Sequence, residues 1–245
     1  MREKIDVKRI VINVMLLVLL TSTSSVLADR RSYVWTYEYQ TVPKGHSEIE
    51  YYLTHKVTDS HKYKQKNIWE HAIEYEFGLT NRWDIAVYQN FKQTNTTDED
   101  DFDYTGSKVR TRYRLGEKGQ YPLDTLLYLE YILPNDSQSP EKIEAKFILA
   151  KDFGKWNLAY NQIIEKGITN QGETENGYAA GLSYEFSPSC KMAIESKGNF
   201  TEYKYYLGPT ISWANEKYWV NLGALRGLND RSDDFMVRLI VGIPF

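Results

Sequence analysis

A chain of 245 residues with a formal net charge of −3 has no polycationic surface, so nucleic acid is excluded as a partner on charge alone. Its one cysteine, Cys190, rules out an intramolecular disulfide, and four scattered histidines supply no metal-ligand spacing, so neither a metal nor another cofactor is expected. Twenty tyrosines and six tryptophans stand beside a mean hydropathy of −0.55, a combination that fits a membrane barrel, whose lipid-facing and lumen-facing residues average out along each strand.

Residues 1–28 read as a cleaved signal peptide: Arg2, Lys4, Lys8 and Arg9 precede the apolar run Val11 to Leu20, and small residues lead to Val26-Leu27-Ala28. The run is shorter than the ~20 residues a spanning helix needs. No cysteine follows it closely enough for lipidation. Removing its four basic and two acidic residues takes the formal charge from −3 to about −5.

Residues 29–45 form an amino-terminal lead segment. Tyr33, Trp35, Tyr37 and Tyr39 alternate there ahead of the turn Val42-Pro43-Lys44-Gly45. Counted as a strand, this stretch would make thirteen, so it is expected to fold against or into a barrel closed by twelve.

Residues 46–245 are the expected barrel, an all-β, antiparallel, up-and-down transmembrane fold of about twelve strands. Segments of about ten residues, the length of a tilted membrane strand, follow one another from Glu48. Ile49, Tyr51 and Leu53 alternate on the first, Trp83, Ile85 and Val87 on the third, and Leu127, Leu129, Tyr131 and Leu133 on the fifth. Period two means strand. The weakest segment, 192–197, carries only Met192 and Ile194. Short connections at 78–82, 116–122, 153–155, 187–190 and 214–217 alternate with longer polar loops at 58–66, 93–104, 134–141, 167–175 and 228–234, as short periplasmic turns and long outer loops require.

The last segment alternates Phe235, Val237, Leu239, Val241, Ile243 and Phe245 and stops on that phenylalanine. It resembles the terminal strand of bacterial outer-membrane barrels. The resemblance implies an outer-membrane location, the barrel-assembly machinery as a partner with Leu239, Val241, Ile243 and Phe245 as its signal, and outer-membrane lipids and lipopolysaccharide as surroundings. Two further pieces, Val42-Pro43-Lys44-Gly45-His46-Ser47-Glu48-Ile49-Glu50-Tyr51 and Phe77-Gly78-Leu79-Thr80-Asn81-Arg82-Trp83-Asp84-Ile85, resemble the opening hairpins of outer-membrane barrels grouped with phenol-degradation-pathway porins. That resemblance implies location, fold and a general transport role, and it supplies no catalytic motif.

With the apolar sets facing lipid, Lys108, Arg110, Arg112 and Arg114 become consecutive inward positions of one strand, a basic ladder with ~6.8 Å between rungs. Glu50, Glu70, Glu74 and Glu76 make an acidic wall, and other inferred inward positions, Asp84, Glu130, Glu144, Glu195, Lys146, Lys197 and Arg238 among them, leave the lumen nearly charge-balanced. Two arrangements follow. The charges pair and fill a narrow lumen, or the acidic segments oppose the basic strand and set up a transverse field that steers a charged solute. The ladder is similar to the basic tracks of twelve-stranded acidic-oligosaccharide porins, although the inward acids here set it apart. The expected function is a porin-like channel for small polar or charged solutes. A lipid-modifying barrel enzyme is the alternative, although no catalytic residue is marked and His71 reads as a bilayer-boundary residue beside Trp69 and Ile73; a closed structural or surface-interaction barrel is a third reading. The stretch Thr97 to Asp103 holds five carboxylates but lacks the glycine and terminal Glu of an EF-hand loop, so it reads as a solvated outer loop.

Overall fold

The computed structural model describes residues 30–62, 66–96, 100–169 and 172–245; residues 1–28, expected from the sequence to be a signal peptide, lie outside them. Alternating sequence becomes strand almost throughout: β1 (Ser47–Val57), β2 (Lys66–Thr80), β3 (Trp83–Thr96), β4 (Asp100–Arg114), β5 (Asp124–Pro134), β6 (Lys142–Phe153), β7 (Trp156–Gly167), β8 (Thr174–Ser187), β9 (Cys190–Asn199), β10 (Lys204–Ala214), β11 (Trp219–Gly227) and β12 (Phe235–Pro244). Each strand pairs antiparallel with its sequence neighbours, and β1 pairs with β12 from Glu48↔Pro244 to Val57↔Phe235. The barrel is closed. The short segment around Met192 and Ile194 is a full strand, bonded to β8 and β10. In the β10–β11 ladder, pairing lapses between Leu207↔Arg226 and Thr210↔Gly223, at Gly208 and Pro209, because proline has no N–H to give.

One expected loop is replaced by strand. β3 runs on to Thr96 and β4 begins at Asp100, so the loop expected at 93–104 is largely a continued hairpin. The cause is cross-strand aromatic packing: Phe91 stacks on Phe102 at 5.6 Å between centroids and meets Tyr104 at 5.5 Å, which outweighs the acidic residues between them. Residues 97–99 of the acidic stretch lie outside the described residues.

Outward residues form an apolar belt. Val87, Leu129, Leu158, Ile194 and Leu222 are exposed, and Trp83, Trp156, Tyr184, Trp213 and Tyr218 ring the end that carries the short turns. An exposed belt of this kind is the lipid-facing surface of an outer-membrane barrel. Leu239, Val241 and Ile243 lie on it in register with Leu53, Tyr51 and Ile49, while Phe245 exchanges backbone bonds with Ser47 at 2.9 and 3.0 Å. Inside, Gly242 faces Trp219, whose ring lies so close that a Cβ would sit 2.2 Å from it. His71 sits on the outside, with its Nδ1 2.7 Å from the Tyr51 hydroxyl and its ring 5.5 Å from that of Phe102.

The lead segment forms no strand despite its alternation. Closure by twelve leaves no free edge for a thirteenth. Residues 30–46 instead fold into the lumen before β1. The two motif pieces meet at the point of entry: Gly45 N–H donates to Gly78 O at 2.8 Å and Gly78 N–H to His46 O at 3.0 Å. Gly78 must be glycine there, since a Cβ would lie 2.0 Å from Pro43 O.

Two outcomes follow from this architecture. A lysine at lipid-facing Val241 costs ~2–4 kcal/mol near the midplane, so Val241→Lys reduces the heat-modifiable, folded fraction on electrophoresis; full recovery of folded protein refutes the register. In a Cys190→Ser background, an impermeant thiol reagent applied to intact cells labels Asn229→Cys on the β11–β12 loop and spares Asn215→Cys on the β10–β11 turn. Equal labelling of both overturns the topology.

Candidate functional site

The lumen contains three regions, from the periplasmic end outwards: the lead segment, a knot of buried ion pairs, and a charged vestibule. The lead segment starts with the Arg30 guanidinium on Pro188 O in the β8–β9 turn, reaches inward to Val34–Tyr37, and returns to the short-turn end. There the Tyr39 hydroxyl meets Gly116 O, Thr41 Oγ1 donates to Asn81 O at 3.0 Å, and Val42 N–H donates to Asp84 Oδ2 at 3.0 Å.

Irregular backbone at membrane depth persists only when protein satisfies its polar groups. The barrel wall does so with side chains. Buried Glu195 accepts the N–H groups of Val34 (2.8 Å), Trp35 (2.9 Å) and Thr36 (2.9 Å), together with the Thr210 hydroxyl at 2.5 Å. Asn161 brackets Tyr37, accepting its N–H at 2.6 Å and donating to its carbonyl at 2.9 Å. Asn221 donates to Arg31 O at 2.8 Å and Tyr33 O at 3.1 Å, and Ser212 donates to Arg31 O at 2.8 Å. Within the segment, Glu38 accepts both the N–H and the hydroxyl of Ser32.

Above and beside the segment lies the knot. Arg110, 0% exposed, donates to Glu74 at 2.6 Å and to Asp84 at 3.2 Å and also contacts Glu76. Arg112 donates to Asp84 at 2.7 Å and to Glu76 at 2.8 Å. Arg31 reaches Glu50 at 3.4 Å and the Tyr52 hydroxyl at 2.7 Å, and that hydroxyl is shared between Glu74 and Glu50. Glu50, Glu74 and Glu76 bring carboxylate oxygens within 4.8 Å of one another. Arg31, Arg110 and Arg112 are ion-paired with all three carboxylates, so the group is an ion-pair cluster.

The ladder and wall therefore divide. Arg110 and Arg112, with Glu50, Glu74 and Glu76, are sealed in the knot. Arg114 sits at the periplasmic mouth against Asn81 O, with its guanidinium 5.4 Å from the Tyr39 ring centroid. Lys108 and Glu70 belong to the vestibule. The expected transverse field between opposing walls is corrected at this point: β2, β3 and β4 are neighbours, so Glu74, Glu76, Asp84, Arg110 and Arg112 close on each other directly. Glu195 stood among the inward acids in the sequence, but its role as a backbone clamp was not legible. Asn161, Ser212 and Asn221 were missed; their only signal is an uncharged polar side chain at an inward position.

The vestibule is a cavity of about 700 Å³, floored by Trp35 and Tyr37 and reaching Glu175, Glu202 and Asp233 at the outer loop ends. Most of its charges are paired: Lys56 with Glu70 (2.6 Å), Lys108 with Glu130 (2.9 Å), Lys142 with Glu165 (2.6 Å), Lys146 with Glu144 (2.9 Å) and Lys204 with Glu202 (2.8 Å). Tyr37 stacks obliquely on Tyr128 at 5.0 Å with Lys146 over both rings, joining floor to wall.

No protein-family model matches the chain, and no curated protein sequence matches it. Among solved structures it is similar to the KdgM porin in complex with disordered oligogalacturonate, at 9% identity and a TM-score of 0.54 over 81% of this chain and 98% of that one. The KdgM porin alone gives 0.51 at the same identity and coverage. An active-site mutant of outer membrane phospholipase A from Escherichia coli gives 0.49 at 11% identity over 93% and 95%. At these identities the likeness is one of fold: a bacterial outer-membrane β-barrel of twelve strands.

Two substitutions test the lumen. Hydrogen bonds to a charged group contribute ~1.5–3 kcal/mol each, so Glu195→Ala releases the lead segment and makes folded protein in detergent more susceptible to trypsin at Arg30 and Arg31; an unchanged cleavage rate means the clamp is dispensable. Arg110→Gln strands buried carboxylates and lowers stability by ~3–5 kcal/mol, read as an earlier loss of heat-modifiable mobility.

Proposed function

We propose that the chain is an outer-membrane, porin-like channel for small polar or charged solutes, with the lead segment as its inner gate. The observation that carries this reading is the charged cavity of about 700 Å³ in the outer half of the lumen, ending on Trp35 and Tyr37. A solute entering from outside meets ion-paired lysines and glutamates, which offer hydrogen bonds of both signs while their charges largely cancel. Passage beyond the floor requires the lead segment to move. In the same proposal the closing strand is read by the barrel-assembly machinery, and the belt sits among outer-membrane lipids and lipopolysaccharide.

A permanently closed barrel is the second reading, supported by the dense side-chain bonding of residues 31–42 to the wall. A lipid-acting enzyme has less support: lipid-facing His71 is hydrogen-bonded to the phenol of Tyr51, where an activated serine would be needed. Planar-bilayer recording separates the readings. Folded wild-type protein gives small resolvable steps, and deletion of residues 30–41 enlarges them several-fold. Silence from both proteins rejects the channel.

A further inference from the structure

Three basic side chains that line the vestibule, Lys92, Lys197 and Arg238, have no ion-pair partner among the described residues, whereas Lys56, Lys108, Lys146 and Lys204 each have one. Lys92 is exposed and stands opposite Glu70 in the β2–β3 register, whereas Lys197 and Arg238 are half-buried. Arg238 uses its Nε on Thr54 Oγ1 at 2.8 Å, and its guanidinium carbon lies 5.5 Å from the Trp35 ring centroid. Lys197 faces the Tyr206 ring at 5.8 Å. The charges around Lys197 are Arg238, Lys56 and Lys146, with Glu70 as the acid, and Glu70 is already bound to Lys56. Beside the paired charges, Lys197 and Arg238 leave unpaired positive charge in the half-buried part of the cavity, while Asp233, which has no ion pair among the described residues, accepts from the Tyr206 hydroxyl at 3.1 Å near the outer loop ends.

We propose that this place binds the carboxylate of a small organic anion that enters from the outer side, with the ring body of the solute against the aromatic floor. The proposal deepens, and rests on, the reading of the vestibule as the outer mouth of a solute path. Unpaired cations in a partly desolvated cavity are costly, and an incoming anion relieves that cost where paired ones gain nothing. The guanidinium keeps N–H donors beyond those on Thr54 Oγ1 and Val34 O, and a carboxylate matches its planar fork. Trp35, Tyr37 and Tyr206 line the same cavity, whose volume of about 700 Å³ exceeds what a bare inorganic anion fills. These features favour an anion with a ring over acetate or phosphate.

The test is titration calorimetry on folded protein in detergent micelles, using benzoate and glucuronate as probes, benzyl alcohol and glucose as their neutral counterparts, and acetate and inorganic phosphate as small anions. At least one ring-bearing carboxylate binds at a single site, and its neutral counterpart does not. Loss of one charge-assisted contact weakens binding about tenfold; Lys197→Gln and Arg238→Gln each do so, whereas Arg238→Lys, which keeps the charge and loses the fork, weakens it less than Arg238→Gln does. Heat-modifiable mobility verifies that every variant is folded. Equal binding of neutral and anionic probes, equal binding of phosphate, or unchanged affinity in folded Lys197→Gln and Arg238→Gln overturns the proposal. Calorimetry needs no conduction, so the two readings fail separately. Binding without conductance leaves the site and rejects the channel, whereas conductance without binding rejects the site alone.

Discussion

The constraint on which the rest of this structure depends is that backbone polar groups inside a membrane must be satisfied by protein. Twelve strands meet it by closing on themselves, since β1 and β12 use each other's last free edges. Closure has a second effect. It denies the lead segment any ladder, so each donor and acceptor of that segment needs an individual side chain from the wall. Glu195, Asn161, Asn221, Ser212 and Asp84 are those side chains, contributed by β9, β7, β11, β10 and β3. The inner polarity of this barrel is therefore partly a hydrogen-bonding surface for its own amino terminus.

The same constraint sorts the charges by depth. Where the lead segment excludes water, Arg31, Arg110 and Arg112 interlock with Glu50, Glu74, Glu76 and Asp84, because a lone ion there has neither water nor partner. Above it, pairs such as Lys108–Glu130 retain partial exposure, with Lys108 about one third exposed. Exposed pairs are weakly held. The vestibule pairs are therefore held less tightly than the knot, although both arise from one strand with a single alternating basic pattern.

How much of this was legible depends on whether the information is periodic or relational. The strands, their order and the lipid face follow from period two, and even the weak segment around Met192 and Ile194 fell into place because its neighbours require it. Inward positions of Lys108, Arg110, Arg112 and Arg114 were equally readable. Which acid each one meets was not: the partners of Arg110 come from two different strands, and only the register puts Glu74, Glu76 and Asp84 within reach. The loop before Asp103 misled because acidic residues favour a solvated reading, while Phe91 and Phe102 decide it across the hairpin. Tyr33 to Tyr39 misled differently. Its alternation resembles a strand, yet the aromatic rings serve to fill a lumen, Tyr33 by donating to Asn157 and Tyr37 by packing on Tyr128.

The attachment of the lead segment bears on whether it can move. A strand leaves a sheet only by breaking a continuous ladder, which is cooperative and slow. This segment is held by separate side chains, and each contact it loses leaves behind a group that incoming water can solvate in its place, so the net cost per contact approaches the ~0.5–1.5 kcal/mol of an ordinary exchange rather than the larger penalty of an orphaned buried group. Glu195 is the exception, because it gathers three consecutive N–H groups and the Thr210 hydroxyl on one carboxylate. Displacement beginning at the periplasmic end, where Thr41, Val42 and Lys44 bond to the β2–β3 turn and Asp84, would leave that clamp until last. On the outer side, Trp35 and Tyr37 line the vestibule beside it. Arg238 links the two, since it contacts Val34 O at 3.4 Å as well as the Trp35 ring, so a charge drawn to Arg238 acts next to the residues that Glu195 holds.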